Sequence, residues 1–97
     1  MQTEGGVTQI SLDNARELIA ARGVPSSVTL SWDDKVWYQV TATWPDGFSH
    51  VFTGFAWGYR GEGPRGLETF SYMIGANIPL EAICLWPEQE PPANGGF

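Results

Sequence analysis

Five glycines fall within residues 54–66, at positions 54, 58, 61, 63 and 66. Glycine weakens the interior of a helix or a strand, because it loses more conformational freedom on folding than any other residue. Residues 58–66 therefore predict a loop that separates a β-rich stretch from a helical one. Pro64 suits the first turn of the following helix, because the N–H that proline lacks would have no helical partner there.

The stretch before this loop alternates apolar and polar side chains. The first run covers residues 28–32, and the same period of two continues over residues 36–44 and 48–52. Turns rich in Asp, or built from Pro-Asp-Gly, separate the runs at residues 33–35 and 45–47. We predict a three-stranded antiparallel meander with one buried face.

Apolar residues recur at helical spacing on both sides of the meander. Residues 12–22 predict a first helix, with Ser11 as its N-cap and residues 1–10 as a lead-in. Residues 64–75 predict a second helix that packs on one face of the sheet. Residues 79–86 fit either a turn of helix or a short C-terminal edge strand, and we favour the strand.

A chain of 97 residues fits one domain, because ordinary domains contain about 50 to 250 residues. Aromatic residues make up 13% of the chain, and each buries roughly 150 to 250 Å², so a small core is adequate. We predict one compact α+β domain over residues 1–86. Residues 87–97 contain three Pro and two Gly among few apolar residues, which predicts a disordered tail.

The chain has a formal net charge of −6, whereas binding to long nucleic acid needs a basic surface. Long DNA and RNA are therefore poor partners. Cys84 is the only cysteine, which excludes an intrachain disulfide. The N-terminus lacks the basic and apolar regions of a signal peptide, and no apolar run approaches the roughly 20 residues that span a bilayer. We expect a cytoplasmic protein that does not insert into a membrane.

The glycine-rich loop has properties that suit an anion. Its glycines let backbone N–H groups approach a ligand, the following helix begins with unpaired N–H groups, and two arginines add positive charge. Trp57 and Tyr59, together with Phe55, offer a surface on which a base or ribose can stack. The candidate ligand-binding residues are Trp57, Gly58, Tyr59, Arg60, Gly61, Gly63, Arg65 and Gly66.

The same loop also fits a structural connector, whose glycines serve turns and close packing and whose aromatic residues belong to the core. Gly61, Gly63 and Gly66 match the spacing G-x-G-x-x-G, but a dinucleotide site needs a parallel βαβ unit, and an antiparallel meander precedes the loop here. No Gly-Lys-Ser/Thr follows, so the loop is not a P-loop. The ligand-site and connector interpretations both stay open at this point.

Other residues offer little chemistry. One His and one Cys cannot build a metal site, and His50 lies within the strand alternation as a packed histidine. Cys84 lies between two apolar residues as a small buried hydrophobe. Asp33 and Asp34 fit a solvated turn, and the serines have no base partner. We predict no enzymatic activity, no metal and no cofactor.

The 14 residues from 54 to 67 resemble a signature, G-F-x-W-G-Y-x-G-x-G-P-x-x-L, that recurs in short bacterial and phage proteins, where it also joins a β-meander to a helix. The resemblance implies this fold and a phage or bacterial origin, and it names no activity. A phage protein of this size that held a nucleotide would be similar to the anti-defence sponges, which sequester immune signals and often act as oligomers.

Two functional hypotheses follow. The first is a non-enzymatic binder of a small phosphate-bearing ligand, a nucleotide or cyclic nucleotide immune signal, at residues 58–66, acting as a homo-oligomer if it resembles the sponges. The second is an acidic protein-interaction module that inhibits a host or defence protein through exposed Trp or Tyr side chains.

Overall fold

The structure is a computed structural model, and it describes residues 4–87. The elements in chain order are α1 (Thr8–Arg22), β1 (Ser27–Asp33), β2 (Trp37–Thr43), β3 (Ser49–Phe52), α2 (Glu62–Met73) and α3 (Leu80–Leu85). The strands form one antiparallel sheet in the order β1-β2-β3. The predicted α+β architecture, with a helix, a meander and a second helix after the glycine-rich loop, is confirmed. The predicted tail, residues 87–97, lies outside the described residues except for Pro87.

One face of the sheet supplies the core. Leu30, Val40 and Phe52 are direct cross-strand partners on β1, β2 and β3, and each is at most 4% exposed. Buried and exposed side chains alternate along most of β1, as expected for a strand with one covered face. The register follows from this alternation, because a slip of one residue would turn the apolar side chains towards water.

The loop after β3 and the helices cover this face of the sheet. Phe55 and Trp57 from the loop are buried, as are Leu67 and Phe70 from α2. The rings of Phe52, Phe55 and Phe70 form a cluster with centroids 5.0 to 5.3 Å apart, which is the range of favourable aromatic contacts. Helix α1 packs against α2, and α2 packs against α3. The aromatic residues of the loop thus anchor α2 to the sheet.

Helix α1 begins earlier than predicted, and Ser11 is not its N-cap. Val7 occupies the N-cap position and makes no side-chain capping hydrogen bond. Ser11 is fully buried inside the helix, where its hydroxyl accepts a hydrogen bond from the backbone N–H of Gly54 at 2.8 Å. Thr8 donates to the carbonyl oxygen of Gly54 at 2.6 Å. Hydroxyl residues favour N-caps locally, but here their partners lie across the fold. The prediction of a lead-in over residues 1–10 is wrong for residues 8–10, which belong to α1.

The prediction of an edge strand within residues 79–86 is wrong, because residues 80–85 form α3. The Glu68 side chain accepts a hydrogen bond from the backbone N–H of Leu80 at 2.9 Å, which satisfies one donor of the first turn. Ile83 is buried in the core, and its carbonyl oxygen accepts from the N–H of Gly58 at 2.9 Å. These contacts hold a short helix against α2. Helix α2 itself begins two residues before the predicted Pro64 and ends at Met73.

No helix within residues 4–87 is long and apolar enough to cross a membrane.

A substitution at Gly66 tests the packing of α1 on α2. A Cβ atom at this position would lie 2.4 Å from Cγ2 of Thr8 and 3.1 Å from Cδ1 of Phe55. We expect Gly66→Ala to lower the free energy of unfolding by about 1–3 kcal/mol despite the better helix propensity of alanine, because overpacking outweighs propensity. Urea denaturation measures the change. Arg65→Ala, at the exposed neighbouring position, is the control, and equal stability of the two variants would contradict this packing.

Candidate functional site

An open groove of about 550 Å³ lies on the surface beside the glycine-rich loop. Three segments line it: the start of the described chain (Gly5, Gly6 and Thr8), the tip of the β1–β2 hairpin (residues 36–38), and residues of the loop with the start of α2 (residues 53–56, 59, 62 and 63). Its volume falls within the range of about 300–1,000 Å³ that is typical of small-molecule sites. We call this surface the groove.

Tyr59 forms one wall of the groove, and two glycines make room for its ring. A Cβ atom at Gly61 would lie 2.8 Å from Cε2 of Tyr59, and one at Gly63 would lie 3.2 Å from its hydroxyl oxygen. Neither glycine has a left-handed φ, so neither position requires glycine for its backbone conformation. Close packing is the reason for glycine at both positions.

Trp37 also lines the groove, at the tip of the hairpin. Its φ of 61° is left-handed, a conformation that is costly for a bulky side chain, and the residue is 64% exposed. Adjacent residues of a regular strand point to opposite faces, yet both Trp37 and Tyr38 line the groove. Asp33 braces the turn before them, because its carboxylate accepts hydrogen bonds from the N–H groups of Lys35, at 2.7 Å, and Val36.

The structure divides the residues predicted for the site into three groups. Tyr59 and Gly63 line the groove. Arg60, Gly61 and Arg65 lie beside it in the chain without lining it. The remaining predicted residues serve the fold and are Trp57, Gly58 and Gly66.

The prediction that Trp57 offers a stacking surface for a ligand is wrong. Its ring is fully buried and meets the ring of Tyr38 edge-on, with centroids 4.9 Å apart, so no face remains for a ligand. Phe55 is buried as well. Gly58 takes a left-handed φ of 87° and donates its N–H to Ile83 of α3. The connector interpretation therefore accounts for these members of the loop.

Sequence reasoning missed the hairpin tip and the N-terminal wall of the groove. Val36, Trp37 and Tyr38 read as ordinary strand residues, because their pattern is that of a half-buried strand. A tryptophan in a left-handed conformation has no local signature. The proximity of the tip to Tyr59, with Tyr38 and Tyr59 centroids 6.1 Å apart, arises only when the loop folds back over the sheet.

Arg60 and Arg65 are exposed, and neither forms an ion pair with another residue of the described part of the chain. The acidic residues that are near them in sequence, Glu62 and Glu68, pair with neither arginine. Glu68 instead accepts hydrogen bonds from the hydroxyl of Tyr72, at 3.0 Å, and from the N–H of Leu80. Among the described residues that line the groove, Glu62 is the one with a charged side chain.

A buried carboxylate supports the N-terminal wall. The side chain of Glu4 is 3% exposed and accepts hydrogen bonds from Ser11, from Asn14 at 2.7 Å and from the N–H of Thr53 at 2.8 Å, while Nε2 of His50 lies 2.8 Å from it. Burial raises the pKa of Glu4, but these four contacts together outweigh burial and bring the pKa below its ordinary value of 4.5. Gly5 and Gly6, which follow Glu4 directly, are thereby held in the groove wall.

The cluster of Ser11, Glu4 and His50 is structural. A nucleophilic serine needs access to a substrate, and Ser11 is fully buried with both of its hydrogen bonds made inside the protein. Within residues 4–87, no group of three or more His, Cys, Asp or Glu side chains could hold a metal ion.

Comparison with models of protein families, with curated protein sequences and with solved structures found no match. The resemblance of residues 54–67 to the phage and bacterial signature stays a prediction. The groove and the charges around it are therefore the features that bear on function.

Trp37 offers a test of the strained hairpin tip. We expect Trp37→Gly to be more stable than Trp37→Ala by about 1 kcal/mol, because both variants lose the ring but only glycine relieves the left-handed backbone. Equilibrium unfolding in urea measures the difference. At an ordinary strand position the order would be reversed, so a more stable alanine variant would contradict the conformation described here.

The lowered pKa of Glu4 predicts that the stabilisation provided by its carboxylate is lost in acid. Its pKa is lower in the folded protein than in the unfolded chain, so its contribution is fully present above about pH 4.5 and is lost as the pH falls through the folded pKa. We expect Glu4→Gln to be less stable than the wild type by about 1.5–3 kcal/mol at neutral pH and the difference to shrink in acid.

Urea midpoints from about pH 7 to about pH 3 measure this effect. Asp46→Asn is the control, because hydrogen bonds from the backbone of Phe48 and from Arg22 also lower the pKa of Asp46, but that carboxylate is fully exposed. We expect little change in stability for this variant. A Glu4→Gln difference that stays constant down to the lowest pH would contradict the assigned role.

Proposed function

We propose that this protein is a non-enzymatic binder of a nucleotide, whose ring enters the groove and whose phosphate lies at the arginines of the glycine-rich loop. The observation that carries the proposal is a groove of about 550 Å³ that is lined by two exposed aromatic residues, Trp37 and Tyr59. Stacking of a base on an aromatic side chain contributes roughly 1–3 kcal/mol and tolerates any base, because every base has a π-face.

The charges around the groove support one orientation of the ligand. Glu62 lines the groove and repels a phosphate inside it. Arg60 and Arg65 are exposed nearby, so the phosphate is better placed outside, against the guanidinium groups. Guanidinium groups bind phosphate through paired charge-assisted hydrogen bonds. The start of α2, which follows Gly61, adds the positive end of its dipole.

A biological role follows from binding without catalysis. A protein that holds a nucleotide and does not convert it lowers the free concentration of that nucleotide. We therefore propose sequestration of a linear or cyclic nucleotide immune signal, a role that the resemblance of residues 54–67 to a phage signature also suggests. The groove walls come from one chain, so binding requires no second copy, although a homo-oligomer is compatible with the proposal.

A second candidate function is binding of a basic protein. Leu85 on α3 is 83% exposed and Tyr72 on α2 is half exposed, and the two helices pack against each other. The hydrogen bond from the hydroxyl of Tyr72 to Glu68 raises the pKa of Tyr72, and the charge of Glu81 acts in the same direction. An apolar surface flanked by carboxylates suits a partner that presents apolar and basic residues together.

Calorimetric titration with a panel of linear and cyclic nucleotides tests the first function. We expect at least one to bind, and Arg60→Ala or Arg65→Ala to weaken that binding roughly tenfold or more with little change in the melting temperature of the free protein. Arg16→Ala is the matched control, because Arg16 is also exposed but lies on α1 and pairs with Asp13. If no nucleotide of the panel binds, nucleotide binding is excluded as the function and the second candidate function remains.

A further inference from the structure

A second hollow, of about 410 Å³, adjoins the groove, and within residues 4–87 it is lined by four aromatic side chains and by no charged residue. Trp32 comes from β1, Trp37 and Tyr38 come from β2, and Tyr59 comes from the glycine-rich loop. We call this site the aromatic hollow. Three of its residues also line the groove, whereas Trp32 belongs to the aromatic hollow alone.

The hairpin geometry brings these rings together. Trp32 and Tyr38 are direct cross-strand partners, so they share one face of the sheet at the open end of the core. Trp37 would point to the other face in a regular strand, but its left-handed φ of 61° accompanies a side chain that lines the same hollow. A conformation that is costly for tryptophan thus coincides with the enclosure of one small space by aromatic rings.

The surroundings of the aromatic hollow favour a positive ligand. The faces of Trp and Tyr rings carry negative electrostatic potential, which attracts cations and has no comparable attraction for neutral groups. Asp33 lies directly across the strand pair from Trp37, and Glu62 lines the adjoining groove. Lys35 and Arg60 lie on the same two segments without lining the hollow, and the chain as a whole carries a net charge of −6.

We infer that the aromatic hollow binds a methylated ammonium group. Such a cation is bulky and weakly hydrated, so it gains from contact with several ring faces and loses little by leaving water. A lone ammonium is more strongly hydrated. This inference does not depend on the nucleotide proposal, because the occupant differs in charge and the site includes Trp32, which the groove lacks.

Proton NMR titration with choline chloride tests the inference. The control ligand is 3,3-dimethylbutan-1-ol, which has the same shape but carries carbon in place of the charged nitrogen. We expect saturable binding of choline, an upfield ring-current shift of its methyl signal, and affinity about tenfold higher than for the alcohol. Equal affinities, or no saturable binding of choline, would overturn the inference.

Variants locate the site. We expect Trp37→Gly to weaken choline binding about tenfold or more while the protein stays folded, since glycine suits the left-handed backbone. Tyr59→Leu, which keeps an apolar side chain but removes the ring, should weaken it in the same direction. Tyr72→Leu is the control, because Tyr72 is another exposed aromatic residue on a different surface. Unchanged choline affinity in Trp37→Gly and Tyr59→Leu together would place any binding elsewhere and overturn the assignment.

The experiments can contradict either proposal without contradicting the other. If choline binds and no nucleotide binds, the assignment of the aromatic hollow is supported and the proposed function is wrong. If a nucleotide binds and choline does not, the proposed function is supported and the assignment of the aromatic hollow is wrong. Binding of both allows a competition titration, in which mutual displacement is expected because Trp37, Tyr38 and Tyr59 line both sites.

Discussion

The carboxylate of Glu4 joins the start of the chain to helix α1 and to the end of the sheet. Ser11 and Asn14 reach it from α1, His50 reaches it from β3, and the backbone of Thr53 donates from the segment that follows. A buried carboxylate without such partners is strongly unfavourable, so the four contacts depend on one another. The glycines that follow Glu4 line the groove, which means that the shape of the groove depends on this one buried group.

The glycine-rich loop contains buried residues that serve the fold and other residues that line the groove. Its buried members connect β3 to α2 and fill the core, as Trp57 shows, while Gly58 ties the loop to α3 through a backbone hydrogen bond. Gly61 and Gly63 allow the ring of Tyr59 to lie close to the start of α2 and to remain partly exposed. A structural connector and a binding surface are therefore compatible, because they use different residues of the same loop.

The residues that line the groove include aromatic side chains and Glu62 but neither arginine of the glycine-rich loop. Arg60 and Arg65 are exposed. The set of residues chosen by loop chemistry alone was incomplete, because other parts of the groove wall come from segments distant in sequence from Tyr59.

The sequence by itself determined the order of helix, meander, loop and helix, because the period of side-chain alternation and the chemistry of turns act over a few residues. Only the tertiary structure decided that Ser11 is buried instead of capping a helix, that residues 80–85 are helical, and that Trp37 and Tyr59 line one groove. In each case the deciding partner is remote in the chain: Gly54 for Ser11, the Glu68 side chain for α3, and the folded-back loop for Trp37. Local pattern cannot encode such contacts, since they exist only once the core has brought the segments together.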